Sequence, residues 1–155
     1  MLGSPWIAAL IAIFSWWFFT GIILLIVRRK DVAGATAHGA SVVLGVPLLA
    51  LGIFGALISA ASLSVANIYL AFFSVLLIWG WIELAFLSGV ITGPLRDSCP
   101  KSLRGWARFR RAWQTVSHHE ALLFCGLVLM AVIALDAANP LGFWAYFILF
   151  AARIS

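Results

Sequence analysis

The chain has 155 residues, 65% hydrophobic and 10% charged, with a formal net charge of +5 and a mean hydropathy of +1.12. Soluble domains are about 45–50% apolar and about 25% charged, so a water-soluble globule of this size is excluded. The basic balance does not point to nucleic acid. Arg28, Arg29 and Lys30 form one group and Arg96, Lys101, Arg104, Arg108, Arg110 and Arg111 another, each next to apolar runs. Membrane orientation and contact with anionic lipid account for them more simply.

The pattern predicts an all-α, polytopic transmembrane bundle in one membrane domain, with four full spans and a partial fifth. Residues 5–27 form the first span, uncharged throughout and roughly 34 Å long as a helix, enough for a core of about 30 Å. Trp16 and Trp17 fall mid-span, where tryptophan packs on a helix or a flat ligand rather than anchoring at an interface. Arg28–Lys30 follow this run and no basic stretch precedes it, which describes an uncleaved anchor with its N-terminus outside.

The second span covers residues 39–61. Ser41, Gly45, Gly52, Ala56 and Ser59 recur at helical spacing as a stripe of small residues, which lets two helices approach closely. Pro47 predicts a bend. The third span, residues 67–92, carries Trp79, Trp81 and Glu83. A helix reaching Thr92 would place Glu83 near the midplane, where a carboxylate must be protonated or matched to a donor.

The basic loop 95–111 lies on the inner side. Its second half suits a helix at the membrane surface, with Arg104, Arg108 and Arg111 toward lipid headgroups and Trp106, Phe109 and Trp113 opposite. The fourth span covers residues 113–135 and holds His118, His119 and Glu120 near its inner end. Pro140 suits the first turn of a fifth segment, residues 140–155, too short for a full span. Cys99 and Cys125 differ in predicted depth, so a disulfide between them is not expected.

Few residues suggest chemistry. Neighbouring histidines point about 100° apart on a helix, so His118 and His119 divide their roles. The zincin pattern HExxH is absent and no metal site is expected. If the third and fourth spans are antiparallel neighbours, Glu83 and Glu120 can approach each other, and the acid pair with a histidine could bind a metal or move protons. A span histidine can also ligate a chlorophyll or haem metal.

The stretches SPWIAAL at Ser4–Leu10, GVITGP at Gly89–Pro94, WARFRRAWQTVSHHE at Trp106–Glu120 and NPLGFWAYFILFAARIS at Asn139–Ser155 resemble the PuhE-type photosynthetic complex assembly proteins. The family's members continue well past this point. The resemblance implies a non-catalytic protein of the bacterial inner or intracytoplasmic photosynthetic membrane. It would assemble or stabilise the reaction centre–light-harvesting core complex through reaction-centre and core antenna subunits. It brings no catalytic residues. Glu83, Trp79, Trp81, His118, His119 and Glu120 are candidates for partner or pigment contact, with bacteriochlorophyll and carotenoid the cofactors to consider. Two rivals stand beside it: an intramembrane enzyme acting on lipid or pigment through Glu83, His118, His119 and Glu120, and a small proton-conducting transporter.

Overall fold

A computed structural model of the chain describes residues 3–33, 35–95 and 104–154. Arg96, Cys99 and Lys101 of the basic loop lie outside the described residues. Five helices follow one another: α1 (Pro5–Ala33), α2 (Ala35–Ser59), α3 (Val65–Leu87), α4 (Gly105–Ala134) and α5 (Leu141–Ile154). Four are long and apolar enough to cross a membrane, and α5 is the shorter fifth. The surface is inverted relative to a soluble protein, with large apolar side chains such as Trp6, Phe14, Leu44, Phe54 and Phe124 facing outward.

The core sits on α3. Helix α2 makes the most extensive contact with it, and α1, α4 and α5 also touch it. All five residues of the small stripe on α2 are buried. A Cβ at Gly52 would stand 2.9 Å from the Ser74 carbonyl oxygen, and one at Gly45 would stand 2.9 Å from the Trp81 ring. The missing side chains therefore set how near α2 lies to α3. Pro47 sits inside α2 without ending it.

Across the bundle, Tyr146 of α5 donates its hydroxyl to the Leu123 carbonyl at 3.1 Å and meets Trp79 edge-on at 5.3 Å. Gly126 makes room for that hydroxyl: a Cβ there would overlap the Tyr146 oxygen. Helix α1 is different. It packs on α3 through Phe19 and Ile23 over Gly80 and also touches α2, while its opposite face is exposed.

Of the helix ends that differ from the predicted spans, two bear on the site. Helix α3 stops at Leu87, not Thr92, because Gly89 takes a left-handed conformation (φ +70°) and closes a Schellman cap. In that cap the Gly89 N–H donates to Phe86 and the Val90 N–H to Ala85. Glu83 is thus one turn from the end of α3 rather than near its middle. At the start of α4, the predicted surface helix is continuous with the span, forming the first turns of a single 30-residue helix. Its Arg104 and Arg108 are exposed.

At the other end of the bundle, Asn139 is 3% exposed and ties three elements together. Its amide donates to the Ser59 and Asn67 carbonyls at 3.1 and 3.2 Å, and its oxygen accepts from the Leu141 N–H, capping α5.

Candidate functional site

Three helices deliver charge to one place. Glu83 comes from α3, His119 and Glu120 from α4, and Arg153 from α5. The His119 ring is fully buried. Its Nε2 lies 3.7 Å from Glu83 Oε1 and its Nδ1 lies 3.5 Å from Glu120 Oε1. Neither ring nitrogen has a hydrogen-bond partner of ordinary geometry. Arg153 stands between the two acids, with Nε 3.9 Å from Glu83 Oε1 and Nη2 4.0 Å from Glu120 Oε1. Phe86 floors the site, stacked on the imidazole at 4.0 Å and lying under the guanidinium at 5.6 Å.

The segment after α3 closes this site. From Gly89 the chain turns back onto α4, where the Thr92 carbonyl accepts the His119 backbone N–H at 3.1 Å. Gly93 permits the approach. A Cβ there would overlap the Gln114 carbonyl oxygen and stand 2.7 Å from the Thr115 carbonyl carbon. The Gly89–Pro94 stretch therefore caps α3 and straps α4 beside it, covering His119.

The histidines have separate surroundings. His118 is exposed on the outside of α4, whereas His119 is enclosed. A macrocycle metal needs an open approach to a ring nitrogen, and at His119 both approaches are taken by carboxylates. His118 keeps an accessible ring. Trp81 donates its indole N–H to the Val42 carbonyl at 3.0 Å, and Trp79 packs on Tyr146, so both serve contacts within the chain. Among the described residues, no three His, Cys, Asp or Glu side chains converge to hold a metal ion.

Each acid also reaches a surface cleft. Glu83 lines one of about 150 Å³ between α1 and α3, beside Trp16, Thr20 and Trp79. Glu120 lines another of about 490 Å³ between α4 and α5, beside Trp113, Ser117 and Phe150. Arg153 was not singled out by sequence reasoning as a site residue. Its signal was present, a lone cation in an apolar segment, but nothing in the sequence places that segment against α3.

The chain is 46% identical over 154 residues to the "Uncharacterized 30.4 kDa protein in puhA 5'region" of Rhodobacter capsulatus, covering 99% of this chain and 56% of that protein. It thus spans about half the length of the curated relative it matches. No solved structure matches it. The family model described as "Protein of unknown function (DUF3623)" matches residues 2–155, and the chain belongs to that family.

Proposed function

We propose that this protein is a non-catalytic integral membrane protein that assembles or stabilises a bacterial photosynthetic reaction centre–light-harvesting core complex. It acts from the inner or intracytoplasmic photosynthetic membrane, with its N-terminus in the periplasm and its basic loop on anionic lipid in the cytoplasm. Its relative lies in the 5' region of puhA, a photosynthesis gene.

The observation that carries the reading is the bare aromatic face of α1. Trp6, Phe14 and Trp17 are 81%, 60% and 67% exposed on α1, turned away from the face that packs on α2 and α3. Helix association in a bilayer rests on side-chain packing, and large flat rings along one helix face supply it to a partner helix or a pigment. The exposed His118 offers a second contact of this kind.

The test is affinity purification of the full-length protein from gently solubilised membranes of a phototroph. Reaction-centre or antenna subunits, with their pigment absorption, are expected in the eluate. A colourless eluate free of those subunits, under conditions that keep the core complex intact, counts against the reading.

A further inference from the structure

We propose that Glu83, His119 and Glu120 form a proton relay across the bundle, linking the α1–α3 cleft to the α4–α5 cleft.

The geometry is that of a two-ended carrier. The two ring nitrogens of His119 face two different carboxylates, at 3.7 and 3.5 Å. The ring itself is fully enclosed, whereas the Glu83 and Glu120 side chains keep 19% and 23% exposure. A proton can therefore reach His119 only through one acid or the other. A neutral imidazole has one donor and one acceptor nitrogen, which suits a place between an acid and a carboxylate. The two gaps are slightly longer than working hydrogen bonds, as unloaded proton-transfer sites often are.

The transfer balances without a co-reactant. In the first state Glu83 is protonated, His119 carries its proton on Nδ1, and Glu120 is ionised. The Glu83 proton passes to Nε2, giving an imidazolium between two carboxylates. The Nδ1 proton then passes to Glu120. One proton has moved from Glu83 to Glu120, and the histidine has changed tautomer. The reverse transfer restores it, so the device couples the protonation of two clefts rather than pumping.

Arg153 makes these states comparable. With its guanidinium counted, the cluster is neutral in all three placements of the proton, which limits the desolvation cost in a low-dielectric setting. Its distances of 3.9 and 4.0 Å to the two acids favour neither end. Phe86 keeps the ring in the plane that aims both nitrogens. Among the described residues, no other titratable side chain contacts His119. Tyr146 of α5 gives its hydroxyl to Leu123, His118 of α4 is exposed outside the cluster, and the parts of α1 and α2 described near the clefts bring only apolar, Thr and Trp side chains.

The relay does not depend on any photosynthetic partner, so it can be tested on the purified protein. The full-length chain, labelled with ¹⁵N-histidine and placed in lipid bilayers, is followed by NMR. Loss of one ring's signals in H119Q assigns His119. Both His119 nitrogens are expected at shifts averaged between protonated and bare forms, with E83Q or E120Q each collapsing the average to fixed values. If E83Q or E120Q fails to fold, the wild-type spectrum assigned through H119Q decides. A fixed imidazolium or a single fixed tautomer overturns the relay. So does an averaged signal that both Gln variants leave unchanged.

Discussion

Substituting Gly93 by alanine tests the strap that encloses His119. The added Cβ would overlap the Gln114 carbonyl oxygen and crowd the Thr115 carbonyl carbon. These are helix backbone atoms, which cannot rotate aside as a side chain can. Forcing a group into such a space costs about 1–3 kcal/mol. Displacing the segment also breaks the Thr92 carbonyl's bond to the His119 N–H, a net loss of about 0.5–1.5 kcal/mol. Together they predict a loss of about 3 kcal/mol, measured by reversible unfolding in mixed micelles with circular dichroism. Gly21 is the control, since a Cβ there meets nothing within 4 Å. Gly21→Ala should be neutral or stabilising by up to about 1 kcal/mol, the ordinary helix preference. A Gly93→Ala protein within about 0.5 kcal/mol of wild type would refute the close approach of this segment to α4.

Other substitutions probe the rest of the account. Glu83→Leu leaves His119 and Arg153 without one of their two carboxylates and should cost about 3–5 kcal/mol in the same unfolding assay. Glu83→Gln keeps hydrogen-bonding capacity and should cost less than half as much; equal effects of the two would remove the acid's pairing role. Asn139→Ala loses two carbonyl contacts and the α5 cap, for about 2–4 kcal/mol, read by unfolding and by faster hydrogen exchange at Leu141. A reporter enzyme fused at Lys101 should be active only in the cytoplasm and one near Ser62 only in the periplasm; the reverse pattern would invert the topology.

The helices were legible because a bilayer core demands long apolar runs, and the chain supplies them at 5–27, 39–61, 67–92 and 113–135, with one acid in each of the last two. Gly45 and Gly52 announced close packing by their spacing, and both do lie against α3. The approach of Glu83 to Glu120 was conditional on antiparallel neighbours, and which histidine stands between them, His119, is visible only in the structure. The ends were harder. Apolarity continues through Val90 and Ile91, so composition alone runs α3 to Thr92, whereas the left-handed Gly89 decides the stop. Arg153 and the Thr92–His119 bond were out of reach for a different reason. Both depend on how α5 and a turned-back segment sit in space, and no local periodicity encodes that. Asn139 was a weaker miss, since an Asn-Pro pair before an apolar run is a usable helix-start signal.

A photocrosslinking residue placed at position 17, where Trp17 is 67% exposed on α1, tests the proposed partnership most directly. The control is position 128, where Val128 is 46% exposed on α4. In phototrophic membranes making core complexes, the account predicts adducts to a reaction-centre or antenna subunit from position 17 in preference to position 128. Adducts with lipid alone at both positions would contradict it.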